Sequence, residues 1–180
     1  MSRPPTIEAL GHEEPYKGSQ FSVRVGRFRH DDGEEVEREY VDRMAAAAIV
    51  AYDDDHVWLV RQPREAILQY TIELPAGKLD VDGESPLQTA QRELAEEIGQ
   101  EAADWTEIEC YYSSSGYSDE LVHVFAATGL RPCEDAEPDP GERIEIVRWP
   151  LADIDAAIAA TNDAKTLIGL SWLRASGTAR

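Results

Sequence analysis

Leu74-Pro-Ala-Gly-Lys-Leu-Asp-Val-Asp-Gly-Glu-Ser-Pro-Leu-Gln-Thr-Ala-Gln-Arg-Glu-Leu-Ala-Glu-Glu-Ile-Gly99 is the most informative stretch of this 180-residue chain. Its second half predicts a helix over Pro86–Ile98. Ser85 supplies the capping oxygen, Pro86 has the φ that suits a first helical position, and Gly99 suits the left-handed terminating position. Leu87, Ala90, Leu94 and Ile98 fall on one stripe, which should pack inward. Glu93 and Glu97 are four apart and stack on one face, with Glu96 beside them. Like charges at that spacing each cost roughly a few tenths of a kcal/mol. They also sit at the helix C-terminus, where the dipole disfavours anions. A bound cation would supply the missing attraction, and hard oxygen ligands favour magnesium or manganese over zinc. On the helix alone, a solvated acidic face is the alternative. Ahead of the helix, Ala76-Gly77 predicts a tight turn free of side chain, where backbone can approach a phosphate or a metal.

Working outward, residues 45–52 and 57–62 read as two apolar strands joined by the acidic turn Asp53-Asp54-Asp55. Further strands are expected at 107–112, 121–127 and 144–149, and helices at 151–160 and 163–174. Strands and helices mix without a strict βαβ rhythm, which predicts an α/β (α+β) fold with a mixed sheet rather than a doubly wound parallel one. Before this body, residues 1–19 are polar and read as frayed. Phe21, Val23 and Val25 alternate with polar residues, as in a half-buried strand. Asp31-Asp32-Gly33 supplies the positive φ of a hairpin turn, with a return strand at 37–41. The expected organisation is therefore a strand arm over 1–44 and a main domain over 45–180.

Composition narrows the classes of function. The chain carries 36 acidic and 17 basic residues, a net charge of −19. Only Lys17, Lys78 and Lys165 are lysines. Such a charge repels nucleic acid and anionic membranes, so neither is an expected partner. A lysine-poor, acid-rich surface resembles those of salt-loving cytoplasms, where salt screens the self-repulsion; a merely acidic protein is the alternative. No apolar run approaches the ~20 residues of a membrane span. The first residues lack the apolar core of a secretory signal, so a cytoplasmic location is expected. Cys110 and Cys133 form no C-x-x-C pair, and His12, His30, His56 and His123 are dispersed, so spacing indicates neither a disulfide framework nor a zinc site. Ser113 to Ser115 lack a nucleophile-elbow context.

The quoted stretch resembles the Nudix box: a glycine, five residues, a glutamate, seven residues, then R-E-U-x-E-E-x-G-U, with U aliphatic. Gly77 begins it, Glu84 is the first acid, and Arg92-Glu93-Leu94-Ala95-Glu96-Glu97-Ile98-Gly99 matches the core position for position. Six residues rather than five separate Gly77 from Glu84, and Gln100 replaces the final aliphatic residue. The resemblance implies an α/β/α sandwich with a mixed sheet and an N-terminal strand arm. It also implies a magnesium-dependent (manganese possible) hydrolase of nucleoside diphosphate derivatives. Glu93, Glu97, Glu96 and the carbonyl of Ala76 correspond to metal ligands. Arg92, counted with the catalytic group, corresponds to the residue that tethers the loop, through Glu84 here.

Features outside the box resemble the ADP-ribose pyrophosphatase branch. They are Glu73-Leu74-Pro75-Ala76-Gly77, Gln62-Pro63-Arg64, Gly116-Tyr117-Ser118-Asp119-Glu120 and Gly141-Glu142-Arg143-Ile144-Glu145-Ile146. The resemblance makes Arg64, Glu73 and Glu120 substrate-binding, with the planar fork of Arg64 suited to phosphate. Glu142 becomes the group that activates water, with Glu145 as the runner-up, and Glu96 is counted with the catalytic group as well as with the metal ligands. The arm resembles strands shared between subunits of homodimers, in which Arg38 and Phe21 would reach the partner's substrate; ordinary strand residues are the alternative for both. Ser115 stands where this branch usually has proline, which leaves nucleotide sugars open as substrates. A non-catalytic module that binds ADP-ribose is the third reading, opposed by the intact Arg92-Glu93 and Glu96-Glu97 pairs.

Overall fold

The computed structural model describes residues 6–134, 141 and 143–177. The chain divides into two compact units, one of Met1–Met44 with Tyr112–Leu121 and one of Ala45–Tyr111 with Val122–Arg180.

The first unit is an antiparallel sheet of β1 (Ile7–Lys17), β2 (Ser22–His30) and β3 (Glu35–Asp42), in that order. The Asp-Gly hairpin closes with Gly33 N–H donating to the carbonyl of His30 at 3.0 Å and Gly33 at φ 88°. β1 corrects the expectation of a frayed start. It is exposed at nearly every position, so it has no apolar face to mark it in the sequence. Its backbone nevertheless pairs β2 from Ile7↔His30 to Lys17↔Ser22, with two irregularities. The anticipated apolar face of β2 is also weaker than its alternation implied. Ser22 and Gly26 are its buried positions, while Phe21 precedes the strand, is 42% exposed and lies against Tyr16. The segment around Tyr117 joins this unit through Val41 N–H to Tyr117 O at 2.7 Å and Arg43 N–H to Asp119 Oδ1 at 3.0 Å.

The second unit holds β4 (Ala46–Tyr52), β5 (His56–Arg64), β6 (Gln69–Glu73), β7 (Ala76–Lys78), α1 (Pro86–Ile98), β8 (Gln100–Glu101), β9 (Asp104–Tyr112), β10 (Leu121–Thr128), β11 (Arg131–Pro132), β12 (Glu145–Pro150), α2 (Ile154–Ala160) and α3 (Ala164–Ala175). The main sheet runs β12-β5-β4-β10-β9, with β6 beside β5 and β7 beside β4; β8 and β11 form a separate two-stranded ladder. β10 runs parallel to β4, whereas β5, β6, β7 and β12 pair antiparallel, so the sheet is mixed.

Successive residues of a strand face opposite sides of a sheet. In β4, Ala48 and Val50 join a core with Leu59, Leu74, Val124, Leu170 and Leu173 beneath α2 and α3. Ala47, Ile49 and Ala51 join a second core with Val60, Ala90, Leu94 and Phe125 beneath α1. Burial on both faces is why this strand reads as an unbroken apolar run. The result is a three-layered α/β/α sandwich. Gly169 lets α3 close on the sheet, since a β-carbon there would come within 2.7 Å of both Leu74 and Val50. One position departs from the expected stripe of α1: Leu87 is 36% exposed, whereas Ala90, Leu94 and Ile98 are buried.

Candidate active site

The helix carrying the acids is built as its sequence dictates. The Ser85 hydroxyl accepts from Gln88 N–H, the Gln88 side chain accepts from Ser85 N–H, and Gly99 ends the helix at φ 65°. Glu93 and Glu97 lie on the buried side, at 8% and 6% exposure, and the Glu96 side chain is about one-third exposed. Burying two carboxylates costs several kcal/mol each, roughly, unless charge and hydrogen bonds compensate. Ala76 N–H donates to Glu97 Oε2 at 3.0 Å. Arg92 Nη1 donates to Glu93 Oε1 at 2.7 Å and to Glu96 Oε2 at 2.9 Å.

Arg92 also faces the preceding loop. It donates to Glu84 Oε2 at 3.3 Å, to the Lys78 carbonyl at 3.3 Å and to Asp80 Oδ1 at 3.4 Å. Thr89 donates to the same oxygen of Glu84 at 3.0 Å. Burial alone would lower the pKa of Arg92, but Glu93, Glu96 and Glu84 outweigh it and hold the guanidinium firmly charged. One arginine thereby ties together the loop and two acids of the helix.

Gly77 differs from its expected form. It lies in β7, opposite Ala47, with no positive φ, rather than in a tight turn. Its lack of a side chain serves another end, because a β-carbon at Gly77 would overlap the Glu93 carboxylate. The glycine is the space into which Glu93 fits.

Three residues before β7 begins, Glu73 anchors a second network. It is 1% exposed, and its two oxygens accept from Arg64 Nε and Nη2, both at 2.6 Å. Thr71 and Lys165 also donate to it. Burial pushes the Glu73 carboxyl upward, but these donors overcome it and hold the pKa at about 2. Arg64 is raised chiefly by its hydrogen bonds to Glu73, and Glu97 adds to its electrostatic environment. Lys165 Nζ also bonds Asp163 Oδ1 at 3.0 Å, and Asp163 caps α3 through Thr166 N–H. Thr166 Oγ1 in turn accepts from Leu74 N–H at 2.9 Å, so α3 holds the strand that leads into Ala76.

The structure thus brings together Arg64, Glu73, Ala76, Arg92, Glu93, Glu96 and Glu97. Phe21, Arg38 and Glu120 belong to the other unit. There Arg38 donates to its neighbour's carbonyl, that of Glu37, and Glu120 pairs Arg43 at 3.2 Å. Glu142 lies outside the described residues. Glu145 is on β12 and pairs Arg61 at 3.1 Å. Sequence reasoning missed Thr71, Asp163, Lys165 and Thr166. The one available signal was that Lys165 is among just three lysines in an acid-rich chain.

The carboxylate group suits a hard divalent cation by its donor chemistry. Glu93, Glu96 and Glu97 offer only oxygen, and Arg92 bonds both Glu93 and Glu96. All-oxygen donor sets of this kind select magnesium-like ions over thiophilic ones.

Comparison with known proteins bears on the family and the fold. The NUDIX domain family model matches residues 42–168. The ADP-ribose pyrophosphatase of Mycobacterium tuberculosis is 39% identical over 149 residues, covering 82% of this chain and 72% of the relative. The ADP-ribose pyrophosphatase of Bacillus subtilis is 33% identical over 171 residues, covering 93% and 92%. A solved structure described as an ADP compounds hydrolase superposes with a TM-score of 0.80 at 28% identity, covering 98% of this chain and 97% of that one.

Proposed function

The chain belongs to the Nudix family, and we propose that it hydrolyses the pyrophosphate of ADP-ribose to AMP and ribose 5-phosphate. The observation that carries this reading is the position of Arg64, whose guanidinium is locked by two bonds to buried Glu73 and lies within electrostatic reach of Glu97 of the carboxylate group. A diphosphate needs cations on two sides, and a fixed planar donor beside an acidic metal group provides both.

Glu93, Glu97 and Glu96, with the Ala76 carbonyl, would hold magnesium or, as the alternative, manganese. Such an ion would neutralise the diphosphate and polarise a phosphoryl oxygen. Arg64 binds the phosphates, and Glu73 orients Arg64 from below because its own carboxylate is buried. Arg92 keeps the loop and the acids in register. Water attacks one phosphorus, the anhydride oxygen leaves with the other phosphate, and a carboxylate takes the proton. Glu142 is our first choice for that base, assisted by Glu96, with Glu145 as runner-up. Glu120 is assigned to the ribose. The strand unit is assigned to a homodimer, in which Arg38 and Phe21 would serve the partner's site.

A cytoplasmic protein fits the composition, and among the described residues no helix is long and apolar enough to cross a membrane. A halophilic setting accounts for the net charge of −19.

The test is AMP release from ADP-ribose in magnesium, beside ADP-glucose and a Glu97→Gln variant. We expect turnover of ADP-ribose that the variant reduces by about 10²-fold or more. Preference for ADP-glucose would transfer the reading to nucleotide sugars, as Ser115 allows. Tight binding without turnover would identify a sensor module instead.

A further inference from the structure

Among the described residues, one group of side chains other than the carboxylate site presents metal-ligand chemistry. It consists of Glu107 and Cys110 on β9 and His123 on β10, whose ligand atoms all lie within 4.8 Å of one another. Glu107 and Cys110 are three apart, which in a regular strand would turn them to opposite faces. β9 is not regular there. Trp105 packs in the core beneath α1, but Ile108 and Tyr111, also three apart, both pack in the core beneath α2 and α3. The alternation is broken between Ile108 and Tyr111, and the same break brings Cys110 to the side of Glu107. His123 arrives from the neighbouring strand, with Nδ1 2.7 Å from Glu107 Oε1. No spacing rule in the sequence could have exposed this group, since its members meet only through strand pairing.

We propose that Glu107, Cys110 and His123 form a second metal site, taking a thiophilic divalent cation of the zinc class and sharing no ligand with the acidic site. Thiolate, imidazole and carboxylate together are a donor set that zinc accepts and magnesium does not. Tetrahedral bonds of 2.0–2.3 Å place ligand atoms about 3.5 Å apart, so these three need to shift by roughly 1 Å. Exposure of Cys110 and Glu107 leaves room for that shift. The cation takes Nδ1 of His123 as the imidazole proton shifts to Nε2, and the thiol proton of Cys110 leaves to solvent.

A cavity of about 350 Å³ adjoins the site, lined by Glu107, His123, Phe125, Trp105 and the start of α1 at Ser85 and Pro86. Three protein ligands leave a fourth position open, and the cavity offers it water or a small exogenous ligand.

Cobalt titration of the full chain, reduced and in excess magnesium, reads this site directly. Cobalt on a thiolate produces a sulfur-to-metal charge-transfer band in the near ultraviolet, which cobalt on carboxylates does not. We expect that band, its displacement by zinc, its disappearance in Cys110→Ser and its persistence in Cys133→Ser. His123→Gln should weaken cobalt binding by about tenfold or more. Circular dichroism of each variant separates ligand loss from misfolding, and His123→Gln gives an independent reading should Cys110→Ser fold poorly. Absence of the band, or a band that follows Cys133 rather than Cys110, overturns the proposal. An unchanged affinity in folded His123→Gln overturns it equally.

Discussion

Glu73 accepts from Arg64, Lys165 and the Thr71 hydroxyl while almost wholly buried, and its pKa records this. The group moves from an ordinary 4.5 down to about 2 on folding. A depressed carboxyl stabilises the fold fully above its unfolded value and loses that contribution as pH falls through the folded value. The window is therefore about pH 4.5 to 2, and a shift of this size corresponds to about 3 kcal/mol. In urea unfolding at a series of pH values, Glu73→Gln should be several kcal/mol less stable than the parent at pH 6, because Arg64 and Lys165 lose their acceptor. That deficit should shrink by about 3 kcal/mol by pH 2. A deficit constant with pH would show that Glu73 is not the buried anion described. At Gly77 the argument is steric rather than electrostatic. A methyl group there has no φ penalty to meet, but it overlaps Glu93. Gly77→Ala should cost about 1–3 kcal/mol by overpacking. It should also lower kcat for AMP release by about 10²-fold, the cost of an ångström-scale misplacement. An unchanged kcat would remove Glu93 from the reaction.

At the scale of the element, α1 separates stability from chemistry along its own length. Its capping box, Ser85 with Gln88, lies at one end, and Glu93, Glu96 and Glu97 lie towards the other. Ser85→Ala should therefore cost about 1 kcal/mol, or roughly 2–4 °C in Tm, with kcat unchanged. A parallel loss of kcat would mean that the helix start also governs the acids. The legibility of this helix has the same origin. Its cap, its proline, its terminal glycine and its acid spacing are all local, so both of its ends and its three carboxylates could be read from the chain. Elements that depend on partners could not. β1 shows no apolar alternation because neither face is buried, and β7 is three residues whose glycine imitates a turn. The bond from Lys165 to Glu73 spans 92 residues. Arg64 could be read as a phosphate ligand by family resemblance, but what holds it in place could not, since Thr71, Asp163 and Lys165 carry no motif. The cysteine, histidine and glutamate of β9 and β10 remained separate for the same reason.

For the whole molecule, charge is the dominant quantity. Among the described residues only Glu73, Glu93 and Glu97 are buried acids, so the rest of the described acid lies partly or fully at the surface. The 36 acidic residues exceed the 17 basic ones by far more than pairing can absorb. Many of the basic groups are already committed to exposed pairs such as Arg29 with Glu8 and Glu35, and Arg174 with Asp155. Salt acts on this surface in two opposed ways. It weakens the exposed pairs, each worth about 0–1 kcal/mol, and it screens the repulsion among the unpaired excess. The Debye length falls from about 10 Å at 0.1 M to about 3 Å at 1 M, which removes repulsion between neighbours not in contact while weakening the half-buried Arg64–Glu73 pair less. With a net charge of −19 the second effect should prevail. Tm should rise by about 4–8 °C between 0.1 and 1 M potassium chloride, which corresponds to a gain of about 2 kcal/mol. A chain whose acids were balanced by local pairing would show a flat or falling Tm over that range. That result would leave an enzyme that is merely acidic, its active site unaffected and its surface without a halophilic purpose.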